Sequence, residues 1–186
     1  MAEASRNKFA AMLETERLLI RKFTDDDLPA LIEQRSDAEV NKYLGGTRLQ
    51  NPDEIAKRLK FYIGCYEKYG FGMCAMIWKE TGEFFGWSGL QPLDDESDIE
   101  VGYGMKRAYW RKGIGFECAR AWLEFGFKEM DLKRIVAVAV PENNGSWRIM
   151  EKLGMKFEKT EPHYDMDCVF YSIAKEDFLD KLPKIE

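Results

Sequence analysis

The chain has 186 residues, 45% of them apolar and 33% charged, with a formal net charge of −5. That balance suits one folded domain with its own core and excludes a disordered or fibrous chain. It argues against nucleic acid as a partner, which needs a clustered basic surface, and no apolar run reaches the roughly 18 residues of a membrane span.

Residues 1–13 read as a loose or helical leader; Glu3, Arg6 and Lys8 interrupt it, so no secretory signal is expected and the location is expected to be cytoplasmic. Glu16–Phe23 is apolar and β-compatible and is predicted as the first strand. Thr24 then precedes Asp25, Asp26 and Asp27, a cap followed by acids, predicting a helix to about Ser36 with Leu28, Leu31 and Ile32 on one face. Asn51-Pro52-Asp53-Glu54 starts a second helix, and Ile55, Leu59, Tyr62, Ile63 and Tyr66 continue it at helical spacing to Tyr69, before Gly70. Met73–Trp78, Phe84–Leu90 and Asp98–Met105 are predicted as an antiparallel meander, with turns at Thr81-Gly82 and Asp94-Asp95-Glu96. A helix follows over about Phe116–Met130. Ile135–Val140, apolar throughout, reads as a buried parallel strand. A short helix, Ser146–Leu153, closes at Gly154, and Lys156–Thr160 and Cys168–Ala174 form a final strand pair. The order predicts a mixed α/β domain, one sheet with helices on both faces.

Four cysteines stand far apart without a C-x-x-C pair, and His163 is the single histidine. No metal site is expected, and the cysteines read as reduced and mostly buried. Tyr109–Cys118 is the segment that carries chemistry. The dinucleotide fingerprint fails there, because Arg107 or Cys118 stands where the third glycine belongs, and no Gly-Lys-Ser/Thr follows for a Walker loop. What remains is Arg111-Lys112-Gly113-Ile114-Gly115 between a strand and a helix. Such a turn points backbone N–H groups outward at a helix N-terminus, as an anion cradle does. A plain strand-to-helix turn fits the same residues.

Glu100-Val101-Gly102-Tyr103 followed by Tyr109-Trp110-Arg111-Lys112-Gly113-Ile114-Gly115 resembles the acetyl-CoA motif of GNAT acetyltransferases. Asn143-Asn144-Gly145-Ser146 through Glu151-Lys152-Leu153-Gly154-Met155 is similar to a second motif of that family, at the distance the family requires. Trp110 and the opening Glu14–Arg21 resemble the Rim-type branch, the ribosomal-protein alanine N-acetyltransferases. Arg111 departs from the family pattern by replacing a usual glycine. The resemblance covers about residues 13–178 and implies one GNAT domain over residues 1–186. The implied sheet is mixed, mostly antiparallel, with about seven strands.

The same resemblance implies acetyl-CoA as co-substrate, no metal, and transfer of acetyl to a primary amine on a small molecule or a protein N-terminus. A homodimer is a candidate assembly. The backbone of Arg111, Lys112, Gly113, Ile114 and Gly115 is expected at the phosphates, with Lys112 or Arg111 adding charge. The Met105 main chain is expected along the pantetheine arm and as oxyanion donor, and Asn143 on the cofactor arm. Ser146 has two readings, general acid at the CoA sulfur or helix cap; Asn143 and Asn144 are rival caps. A tyrosine acid used by other members is replaced by Met150. Glu100 has two readings as well, general base or exposed strand residue. His163 reads as a surface-loop residue with a lesser claim as base, and with Tyr164 belongs to the expected acceptor wall. Phe84, Phe85 and Trp87 read as core. Gly45–Gln50, Phe61–Phe71 and Thr160–Met166 are the segments expected to choose the acceptor. A non-catalytic acyl-CoA-binding module and a nucleotide-phosphate binder are the alternatives.

Overall fold

The computed structural model describes residues 11–44, 51–94 and 98–180. The first part of the expected leader, Gly45–Gln50, and Asp95 and Glu96 of the expected turn lie outside the described residues.

Among the described residues eight strands form one sheet in the order β1-β2-β3-β4-β5-β6-β8-β7. They are β1 (Ala11–Glu14), β2 (Leu18–Lys22), β3 (Met73–Trp78), β4 (Phe84–Leu93), β5 (Asp98–Met105), β6 (Arg134–Ala139), β7 (Lys156–His163) and β8 (Met166–Ala174). All neighbours are antiparallel except β5 and β6, which are parallel. The helices are α1 (Leu28–Ser36), α2 (Ala38–Asn41), α3 (Pro52–Tyr69), α4 (Ile114–Lys128), α5 (Asn144–Leu153) and α6 (Lys175–Leu179).

The sheet has one strand more than expected, because the predicted first strand is the second half of a hairpin. Residues 11–14, assigned to the leader, pair with β2 as β1. The turn between them carries no glycine or proline. Thr15 Oγ1 accepts from Leu18 N–H, and both Thr15 and Arg17 are held by Glu117 of α4. Burial pushes the Glu117 carboxyl up, but the hydrogen bonds from Thr15 and Arg17 outweigh it and leave the group below its ordinary value.

Elsewhere local signals act as expected. Asn51 accepts from Asp53 N–H and Pro52 opens α3, which ends at Gly70 in the left-handed region (φ 79°). After Thr24 the chain makes one tight turn over Asp25–Asp27 before α1. Asp27 there accepts from both Arg21 nitrogens at 2.7 and 2.8 Å. α4 begins two residues earlier than expected, because Gly113 at φ 76° is its N-cap.

The two faces of the sheet carry separate cores. α4 packs Cys118, Trp122, Leu123 and Phe127 on Leu18, Phe85 and Leu90. Trp122 is fully buried and its indole N–H donates to Ser88 Oγ at 2.9 Å. On the other face α1 and α3 set Leu31, Ile55, Leu59 and Tyr62 against Met73, Ala75 and Trp87. The four cysteines are buried and none is in a disulfide. Burial pushes the Cys74 and Cys118 thiols up to about 12, so neither forms a nucleophilic thiolate at neutral pH.

Candidate active site

The site follows from how β5 meets its two neighbours. Lys106 N–H donates to Phe85 C=O, so alternation along the antiparallel ladder turns the Tyr103 and Met105 main chain away from β4 and toward β6. β6, however, pairs with β5 only at Glu100–Val136. Beyond that point the strands part. Two connected cavities fill the gap, and Tyr103, Asn143, Ser146 and Ile149 line both.

The outer cavity, about 430 Å³, is a groove between the β5–α4 turn and the start of α5. A 3₁₀ turn at Arg107–Tyr109 leads to Trp110, whose indole N–H donates to Met105 C=O at 3.0 Å. Arg111 then adopts φ 59°, unusual for a residue with a side chain, and Gly113 adopts φ 76°. The first helical bond of α4 runs from Glu117 N–H to Gly113 C=O, so the amides of Ile114, Gly115 and Phe116 have no intrahelical acceptor. With the helix dipole, they suit an anion. Arg111, Gly113, Ile114 and Gly115 line the groove. Lys112 does not; its ammonium lies over the Tyr109 ring at 5.5 Å and its carbonyl accepts from Arg17 at 2.9 Å. The two glycines differ in purpose. A Cβ on Gly113 would meet only Arg17, at 3.7 Å, so glycine serves the backbone angle there. A Cβ on Gly115 would stand 2.9 Å from Ile149 and 3.2 Å from Tyr103, so glycine there lets α4 close on the site wall.

Asn143 is the N-cap of α5, and its side chain accepts from Ser146 N–H at 3.3 Å. Ser146 is therefore inside the helix, and the reading of it as the cap is corrected. Its hydroxyl faces Tyr103 OH at 3.4 Å. Burial raises the Tyr103 pKa, keeping that phenol protonated. Met150 is buried in the core behind them.

The inner cavity, about 140 Å³, passes through the gap to the α1–α3 face. Glu100 lies there and is 6% exposed, so the exposed-strand reading of it is also corrected. Its carboxylate accepts from Tyr164 OH and from Gln91 Nε2 at 3.1 Å. Burial raises its pKa, and the bonds from Tyr164 and Gln91 and the nearby His163 oppose that rise. Tyr164 arrives on a two-residue hairpin turn, with Tyr164 at φ 55° and Asp165 at φ 61°, as a type I′ turn requires.

His163 is neither on the surface nor in a loop. It ends β7, is 8% exposed, and both ring nitrogens meet carboxylates, Nδ1 that of Asp94 and Nε2 that of Glu161. With both nitrogens engaged by carboxylates it holds the hairpin. Phe85 and Trp87 are core as expected, with Phe84 partly buried against Trp87's cluster, and Trp87 also lines the inner cavity. Gly104 makes room for it: a Cβ there would lie 2.8 Å from the indole. Tyr103, Gln91, Trp87, Arg35 and Arg58 are site residues that sequence reasoning missed. Alternation along β5 could have found Tyr103, which shares a face with Met105. No sequence signal marks the other four.

Among the described residues no group of three metal-ligating side chains comes together, and no helix is long and apolar enough to cross a membrane.

A parted parallel strand pair beside a helix N-terminus that offers free amides defines the class, a transferase that draws its group from a CoA thioester. The chain belongs to the GNAT acetyltransferases: the family model described as "Acetyltransferase (GNAT) domain" matches residues 17–156. It is 34% identical over 172 residues to the uncharacterized N-acetyltransferase YnaD of Bacillus subtilis (strain 168), covering 89% of this chain and 98% of the relative. It is similar to the crystal structure of a GNAT-family acetyltransferase from Bacillus anthracis, at 32% identity, TM-score 0.73, and 90% and 98% coverage of the two chains. A ribosomal L7/L12 alpha-N-protein acetyltransferase in complex with coenzyme A has the same fold, at 16% identity, TM-score 0.74, and 89% and 98% coverage. The protein is accordingly an acetyltransferase using acetyl-CoA, and the groove's free amides and uncrowded Gly113 fit that donor.

Proposed function

We propose that the protein acetylates a primary amine bound in the inner cavity. One observation carries this reading: the cavity that holds the buried Glu100 opens into the donor groove at Tyr103 and Ser146. Acetyl-CoA supplies the activated acetyl group. The amides of Arg111, Gly113, Ile114 and Gly115 hold its phosphates, helped by the Arg111 side chain, while Lys112, outside the groove, contributes longer-range charge. Asn143 and the Met105 main chain hold the arm.

The amine nitrogen attacks the thioester carbon, and a C–N bond forms as the C–S bond breaks. Met105 N–H, unpaired on the β6 side, stabilises the oxyanion. Glu100 takes the amine proton through water. A direct transfer is excluded by distance, because Tyr103 is three residues further along the strand, about 10 Å, and its side chain lies on the opposite face. Ser146 protonates the departing thiolate and is reprotonated from solvent, to which Glu100 returns the amine proton; Tyr103 OH, 3.4 Å away, orients the Ser146 hydroxyl.

The Rim-type reading rests on Trp110 and the opening Glu14–Arg21. The ribosomal-protein acetyltransferase is similar in fold alone, and supports nothing about the acceptor. Thiol release from acetyl-CoA across an amine panel tests the proposal. Acceptor-dependent thiol is expected; tight CoA binding with no such thiol would make the protein a binding module. Thermal stabilisation by ATP but not by CoA would overturn the donor assignment.

A further inference from the structure

The inner cavity contains more than the base. Arg35, in the last turn of α1, is 5% exposed, and its guanidinium lies over the Trp87 ring at 5.2 Å. Its Nη1 is buried with no hydrogen-bond partner. Arg58 of α3 lines the same cavity, stacked 5.9 Å from Tyr62. Among the described residues neither arginine has a carboxylate within salt-bridge distance. A buried guanidinium with one nitrogen unbonded and no carboxylate beside it is costly to a folded protein, and a second positive charge nearby adds to the cost. Burial, chiefly, and the Arg58 charge oppose the protonated form of Arg35, and Tyr62 only partly offsets them.

The other end of the cavity has the opposite character. Gln91 gives its amide N–H groups to Glu100 and Tyr164, which leaves its Oε1 buried and without a donor. At this end His163 opposes the rise in the Glu100 pKa and Asp94 adds to it. One end lacks an anion, and the other lacks N–H donors.

We infer that the acceptor is a small amino carboxylate, such as a free amino acid, with its carboxylate on Arg35 and Arg58 and its amino group at Gln91 Oε1 and the Glu100 water. This rests on the proposed acetyl transfer and names its substrate class. The planar guanidinium fork matches a carboxylate bidentately. The volume, about 140 Å³, is close to that of a cavity that admits a benzene-sized group. A polyamine would place a second cation beside two arginines. A peptide N-terminus without a nearby carboxylate would leave Arg35 unpaired. The products are the N-acetyl amino acid and CoA thiol; the amine proton leaves through Glu100, and Ser146 protonates the sulfur.

The test pairs each amino acid with its own amide as acceptor, since the pair differs only in the carboxylate. For the best pair the acid is expected to exceed the amide in kcat/KM by about 10²-fold or more, because a site built to bond a group rejects the analogue lacking it. In Arg35→Met and in Arg58→Met that ratio is expected to collapse by about tenfold or more, chiefly through KM. Arg58 is half-buried on α3 and keeps the test open if Arg35→Met does not fold. Equal turnover of acid and amide, or a ratio unchanged in the soluble variants, would overturn the inference and leave acetyl transfer standing. Calorimetry of the CoA-loaded protein with N-acetyl amino acids reads the anion site without turnover. Binding that requires both the carboxylate and the arginines, with no thiol released from any acceptor, would sink the acetyltransferase reading and keep the anion site.

Discussion

Replacing Glu100 by glutamine tests the proposed chemistry most directly. The amide keeps the shape of the side chain and its carbonyl still accepts from Tyr164, but it cannot take a proton. A positioned general base contributes about 10²–10⁴ in rate, or about 3–5 kcal/mol of barrier, and kcat is expected to fall by that factor. Glu100 must be ionised to act, and burial raises its pKa above the ordinary 4.5. The acid limb of the wild-type pH–rate profile is therefore expected above that value, and it should vanish in the variant. Stability should move the other way. Because the folded pKa exceeds the unfolded one, the contribution of Glu100 is complete below the unfolded pKa and is lost as pH rises through the folded pKa. Glu100→Gln removes that loss, so its melting temperature at alkaline pH should equal or exceed wild type. A weakly basic amine, already neutral at the assay pH, should narrow the rate difference. Thiol-release kinetics and thermal denaturation across pH read these outcomes. A rate within about threefold of wild type with the acid limb intact would refute Glu100 as the base.

Gly113→Asn and Gly113→Asp both tolerate a left-handed backbone, so comparing their CoA affinities by calorimetry isolates charge; the aspartate is expected to be weaker by about tenfold or more. Ser146→Ala should lower kcat while CoA affinity and melting temperature stay near wild type, because Asn143 is the cap; Asn143→Ala should instead cost about 1 kcal/mol by denaturant titration. Ser88→Ala should cost about 1–3 kcal/mol, since it strands the Trp122 indole N–H in the core. Asp27→Ala should cost about 3 kcal/mol by removing the bidentate carboxylate from the buried Arg21. Burial pushes Asp27 up, but Arg21 and Thr24 outweigh it and hold the pKa below 3.8; its stabilisation should be present above that value and fade as pH falls through the folded pKa.

What was legible in the sequence was what local chemistry decides. α3 announces itself through Asn51, Pro52 and Gly70, and the turn into α4 through Gly113, because cap and backbone angle are properties of a few consecutive residues. The hairpin ahead of α1 was hidden, because Glu117, a hundred residues away, closes its turn. Ser146 stood one turn position from a different identity: which residue caps α5 decides whether its hydroxyl is spent on the backbone or free to meet Tyr103. Arg35 was invisible for a related reason. A last-turn helix arginine is ordinary on a surface, and only the Trp87 indole, brought from β4, shows it to be buried.

Tyr164 illustrates how the site overrides local preference. A type I′ turn favours Asn, Asp or Gly at its first central position, and a tyrosine held at φ 55° costs on the order of 1–3 kcal/mol. The surrounding contacts must offset that strain. His163, immediately before the turn, is fixed on both ring nitrogens by Asp94 and Glu161, and the Tyr164 hydroxyl ends on Glu100 and Gln91. The strain thus anchors a hydrogen bond that counteracts burial at the proposed base. Burial alone would drive Glu100 toward the protonated, inactive form, and the hairpin opposes that drive from the far edge of the sheet. The edge hairpin β7–β8 is in this sense part of the site, although it lies outside both signature motifs.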